Sequence, residues 1–158
     1  MEILGTFWSK TIEVNYLSHL IFNVPSNFDR NNIKCLSFSV PRRLIDNPTP
    51  NKDFGFLIEA QDDGDSGVTA YSYPCAFSQS DGRPLWGMVH WNKQYMTFDP
   101  LSFQENINIG IHEMLHILGF SEMLYPKFYN KNAYITRNTG SYITGPHIKR
   151  EVTRQYGC

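Results

Sequence analysis

Apolar residues fall along this chain in short runs separated by polar stretches, and the spacing inside each run predicts its element. Cys35-Leu36-Ser37-Phe38-Ser39-Val40 alternates apolar and polar positions, as a half-buried strand does. Phe54-Gly55-Phe56-Leu57-Ile58-Glu59-Ala60 is a short apolar run of the kind that forms a buried strand. Val68 to Phe77 and Leu85 to Trp91 read as two further strands. Between them, Ser78-Gln79-Ser80-Asp81-Gly82-Arg83-Pro84 carries Asp-Gly and Pro, strong turn formers that bring the two strands close in space. From about Phe103 to Phe120 the period changes. Ile107, Ile111, Met114, Leu115 and Leu118 recur at three- and four-residue steps, the pattern of an amphipathic helix. Gly119 stands where such a helix stops, because glycine enters the left-handed conformation without steric cost.

The flanks are less periodic. Ile3 to Lys10 reads as the end of a helix and Thr11-Ile12-Glu13-Val14 as a strand, while Asn23 to Asp29 and Asn47 to Asp53 are loops by composition. Asp62-Asp63-Gly64-Asp65-Ser66-Gly67 is also a loop. Its aspartates lack the spacing and the closing glutamate of an EF-hand, so a solvated turn is expected there rather than a calcium site. Ser121 to Gly145 is polar and aromatic with little period. It is long for a plain connection and reads as a functional loop or an insertion. Pro146 then opens a second short helix with Ile148, Val152 and Tyr156 on one face, and Gly157 ends it.

Composition narrows the class. A chain of 158 residues holds one hydrophobic core, and 41% apolar with 18% charged residues fits a folded domain. The formal charge is -1, with 14 basic and 15 acidic residues spread along the chain. Nothing resembles the basic stripe that neutralises phosphates, which argues against nucleic acid as a partner. No run reaches the ~18 apolar residues of a membrane helix. The first ten residues lack both a basic leader and an unbroken apolar stretch, so the expectation is either a cytosolic protein or the interior of a longer precursor. Cys35, Cys75 and Cys158 allow at most one internal disulfide, and none belongs to a CxxC pair of the kind that builds a zinc knuckle.

The chemistry concentrates in His112-Glu113-Met114-Leu115-His116. Two histidines four residues apart on a helix project from the same face, so one Zn²⁺ ion can take a nitrogen from each at ~2.0–2.1 Å. Glu113 is rotated off that pair. It can reach a water on the ion, whose pKa falls to ~7 in such sites, and act as the general base. The resulting hydroxide attacks a carbonyl that the metal polarises, and Glu113 returns the proton to the leaving amine. The alternative is a core helix with two unrelated histidines.

A catalytic zinc site normally has three protein ligands and a water. The compact continuation of the motif would place a third histidine at position 122, where this chain has Glu122. Glu122 and His147 are the candidate third ligands within the chain, with Glu151 a weaker option one helical turn after His147. Each can equally be a solvated surface group.

The wider context resembles the leishmanolysin family, peptidase family M8 of the metzincin clan. The resemblance is carried by His112-Glu113-Met114-Leu115-His116-Ile117-Leu118-Gly119-Phe120-Ser121. It is extended by Ala70 to Cys75 with Asp81-Gly82-Arg83-Pro84-Leu85-Trp86-Gly87, by Arg150 to Cys158, and by Phe7-Trp8-Ser9-Lys10-Thr11. The fold it implies is α+β. A metzincin-like N-terminal subdomain packs a twisted mixed sheet on the active-site helix, with a second helix near the C-terminus. Residues 1–158 would form a single catalytic subdomain, incomplete at its C-terminal end. In this family an insertion separates the glycine from the third zinc histidine. That histidine is then expected beyond Cys158, as is the methionine turn beneath the site, and His147 does not occupy its position. Cys158 would find its partner there too.

The resemblance further implies one zinc ion, polypeptide substrates, and an extracellular or cell-surface location. It also implies that Thr69, Ala70, Tyr71, Ser72 and Tyr73 lie on an edge strand along which an extended substrate binds. The leading expectation is a zinc-dependent metalloendopeptidase. The alternative is a non-catalytic adhesion or binding module, or an inactive fragment, derived from such a peptidase; cell attachment is a role reported for the family.

Overall fold

The computed structural model describes residues 17–22, 24, 29–127, 134–137 and 140–157. The expected N-terminal helix and strand at Ile3 to Val14, and Cys158, lie outside the described residues. The chain divides after Leu118 into two compact units.

The first unit is organised by a three-stranded sheet of β5 (Gly55–Gln61), β6 (Ala70–Phe77) and β7 (Pro84–Asn92), in the order β5-β7-β6. β7 is central, parallel to β5 and antiparallel to β6. Its residues from Leu85 to Asn92 are all buried, which accounts for the near-continuous apolar run. β6 is an edge strand, and Pro74 within it is a residue that sheets confine to such positions because it cannot donate to a ladder. Ser78 to Arg83 closes the β6–β7 hairpin, with the Ser78 amide on the Arg83 carbonyl at 2.8 Å. The Ser78 hydroxyl holds the Asp81 carboxyl below the usual carboxylate range.

The pairing register assigns the two faces of this sheet. Phe56, Gly87 and Pro74 share one row, and Ile58, Val89 and Ser72 the next. This face carries the long helix α2 (Pro100–Leu118) through Val89, Trp91, Met114 and Ile117. On the opposite face lie Leu57, Trp86 and Met88, which pack with Leu20, Phe22, Cys35 and Ile45. The small elements there are α1 (Arg42–Asp46), the pair β1 (His19–Leu20) and β4 (Thr49–Pro50), and the hairpin β2 (Lys34–Cys35) and β3 (Phe38–Ser39). A disulfide between Cys35 and Cys75, with Cα atoms 5.4 Å apart, joins that hairpin to β6.

Two sequence expectations shift here. Cys35 to Val40 is a two-residue hairpin rather than one strand, because Leu36 takes a positive φ of 53° and turns the chain. The long helix starts at Pro100, three residues before its apolar period becomes visible. Asp99 caps it, its Oδ1 accepting from the Ser102 amide at 3.1 Å, and Pro100 fills the first helical position, where no amide is needed.

In the second unit, Ser121 to Leu124 forms a turn that continues into a 3₁₀ turn at Tyr125–Lys127. The stretch expected to be loop also contains a hairpin, β8 (Tyr134–Arg137) antiparallel to β9 (Gly140–Ile143). Its Tyr, Ile and Thr residues favour strands, but each run is too short to show a period. α3 (Pro146–Tyr156) follows as expected, begun by proline and ended at Gly157, whose φ of 72° and amide hydrogen bond donated to the Thr153 carbonyl form the helix stop. Among the described residues no helix is long and apolar enough to cross a membrane. The architecture is α+β.

Candidate active site

α2 positions the HExxH residues by its packing. Ile117 (0% exposed) and Met114 (2%) bury the helix's apolar stripe against the sheet. Ile117 fits there because Gly87 has no side chain: a Cβ at Gly87 would lie 2.3 Å from Ile117 Cγ2. With that face fixed, His112 is exposed and His116 half-buried, one turn apart. Their rings meet edge to face at 4.6 Å, with the two Nε2 atoms 3.0 Å apart. Glu113 lies between the exposed and packed faces and is only 8% exposed.

β6 lies beside this helix. The Ser72 hydroxyl donates to the main-chain carbonyl of Glu113 at 2.7 Å. The five residues expected on the edge strand therefore have distinct surroundings. Ala70 and Ser72 belong to the helix face, Tyr71 stacks on His90 at 4.5 Å on the other face, and Tyr73 is 37% exposed. Thr69 precedes the strand, its carbonyl accepting from the Asn92 amide at 2.9 Å.

The remaining donors considered from sequence belong to the second unit. Glu122 is exposed in the turn after α2, and His147 is exposed in the first turn of α3. Glu151 is paired with Arg154 at 2.8 Å and Arg150 at 3.2 Å, and these guanidiniums hold its carboxyl below the usual range. Among the described residues no three His, Cys, Asp or Glu side chains gather as a metal-binding group.

Sequence reasoning missed a second polar cluster. His90, 1% exposed on the central strand, has Nδ1 3.0 Å from Glu59 and Nε2 2.6 Å from Asp63. Asn92, also 1% exposed, binds the Asp63 amide and the Gly64 carbonyl, and Tyr95 reaches Asp65 and the Gly67 amide. The Asp62-to-Gly67 loop is thus anchored from β7 and the turn after it. The signal available in the sequence was a histidine and an asparagine inside a strand that is otherwise apolar. Their partners, 27 to 31 residues away, were not visible.

Two comparisons bear on this arrangement. The chain is 38% identical over 61 residues to the ciliated left-right organizer metallopeptidase of Homo sapiens, a match covering 39% of this chain and 8% of that protein. It is 30% identical over 91 residues to the Xenopus laevis protein of the same name, covering 54% of this chain and 12% of that protein. The matched segments thus cover about a tenth of the length of these relatives. The sequence profile of peptidase family M8, leishmanolysin, matches residues 21–158, almost the whole chain, and the HExxH helix and its supporting sheet both fall inside that match. This chain belongs to the leishmanolysin family of metallopeptidases.

Proposed function

We propose that this chain supplies the general base, Glu113, and two zinc ligands, His112 and His116, of a metalloendopeptidase that cleaves extended polypeptides. One observation carries the reading: two imidazole Nε2 atoms stand 3.0 Å apart on the open side of α2, with Glu113, 8% exposed, following the first of them in the chain. The donor set fits the ion. Two imidazole nitrogens 3.0 Å apart on one helix face are the donor type that would hold it. Zinc held there would supply a Lewis acid that polarises a peptide carbonyl and acidifies water.

The protein's own part is proton transfer and orientation. Glu113 takes the proton of the attacking water on its carboxylate and delivers it to the leaving nitrogen as the C–N bond breaks. The outer edge of β6 offers its main-chain groups to an extended peptide along Thr69 to Tyr73, with Ser72 bonded to the main chain of the base residue. Glu122 and His147 are the candidate third ligands among these residues, and residues 1–158 are read as part of one catalytic domain. The Cys35–Cys75 disulfide supports an extracellular or cell-surface setting, since such bonds persist in oxidising compartments.

The test is Glu113→Gln in the full-length protein. Peptide turnover should fall by about 10²- to 10⁴-fold while bound zinc stays at the wild-type level. Undiminished cleavage would overturn the mechanism. A second reading, a non-catalytic binding module, draws on the donor count among the described residues. Stoichiometric zinc together with proteolysis by the purified chain eliminates it.

A further inference from the structure

We infer that Ser72 is a positioning residue for the reaction, tying the edge strand that receives the substrate to the helix that carries the base. This rests on the peptidase reading above. The bond runs from the Ser72 hydroxyl to the Glu113 main-chain carbonyl at 2.7 Å. Within α2 that carbonyl already has its helical position, four residues before the amide of Ile117. The serine therefore adds a second donor to a satisfied acceptor rather than rescuing an orphan, and its role is to join two elements.

The location gives the bond its consequence. A peptide added to β6 takes its register from the strand's main chain, so its scissile carbonyl moves wherever β6 moves. The base and both histidines move with α2. The spacing between substrate and base is thus the spacing between β6 and α2 at this row, where Ser72 pairs with Val89 on the central strand. The neighbours on the helix-facing side of β6 are Ala70 and Pro74, neither of which has a polar side chain. Apolar packing holds two surfaces together but lets them slide, because it has no preferred direction. A hydroxyl–carbonyl bond fixes both distance and direction.

The experiment compares wild type, Ser72→Ala and Ser72→Thr in the full-length, zinc-loaded protein, using a fluorogenic peptide that spans the cleavage point. Alanine should lower kcat by about 10- to 100-fold with KM and zinc content little changed, the signature of a misplaced rather than unbound substrate. Threonine, which keeps the hydroxyl, should recover most of the loss. Hydrogen–deuterium exchange supplies a readout apart from turnover: in Ser72→Ala, amides of residues 70–77 and 112–117 should exchange faster, without global unfolding. Wild-type kcat in Ser72→Ala, a loss confined to KM, no difference between alanine and threonine, or unchanged exchange would each overturn the assignment. Failure of the peptidase reading is distinguishable, since the wild type itself would then cleave nothing.

Discussion

Ile117 occupies the space that a side chain on Gly87 would need, its Cγ2 standing 2.3 Å from where that Cβ would be. This contact sets how closely the HExxH helix approaches the central strand, and so the height of Glu113 above the sheet. Gly87→Ala should push α2 outward or force Ile117 off its rotamer, at a cost of about 1–3 kcal/mol. Urea denaturation would show a lower midpoint with an unchanged slope. Turnover should fall further than stability alone accounts for, because the base shifts with the helix. A variant with wild-type stability would show that the approach is not tight.

Removing one imidazole should separate metal binding from folding. His112 is exposed and His116 half-buried, so neither substitution leaves a large cavity. His112→Ala and His116→Ala should each weaken zinc affinity by more than the ~10–100-fold that loss of an outer-shell partner costs. A chelator titration followed by metal analysis measures this. Zinc uptake equal to wild type in the double variant would remove the metal assignment.

The His90 cluster should matter for stability rather than chemistry. With both ring nitrogens facing carboxylate oxygens at 3.0 and 2.6 Å, His90 joins β5, β7 and the Asp62-to-Gly67 loop on the sheet face away from α2. Glu59→Ala removes one partner of a buried polar group and should cost roughly 3 kcal/mol, read from the unfolding midpoint. Bound zinc should be unchanged in the folded variant, and loss of zinc would place His90 in the metal site instead.

The Cys35–Cys75 bond closes a loop with a sequence separation of 40 residues and holds the β2–β3 hairpin against the edge strand. Its reduction, or a paired Cys35→Ala and Cys75→Ala substitution, should destabilise the chain by about 2–4 kcal/mol. Thermal unfolding with and without reductant tests this, and coincident transitions would show that the bond contributes nothing.

The helix was legible in the sequence because its chemistry and its period coincide. His112 and His116 recur at the same four-residue step as the apolar residues that bury α2, so motif and element were read together. β5, β6 and β7 were legible for a similar reason, each being bounded by strong turn residues. α3 was marked at both ends by proline and glycine. The hairpin at Leu36 was not, because one residue with positive φ leaves no trace in an alternating pattern.

What only the tertiary structure decided are relationships across the sheet. A residue's row, and therefore its face, depends on a register between strands that local patterning does not encode. That register turns Ser72 toward Glu113 and Tyr71 toward His90, although the two are adjacent in sequence. It also sets Gly87 under Ile117, so that a glycine unremarkable in an apolar strand becomes the seat of the HExxH helix. The sequence by itself determined where the HExxH motif falls and that it lies on a helix, because the motif's spacing and the apolar period are both local. Their surroundings came from packing, where contacts form between residues far apart along the chain.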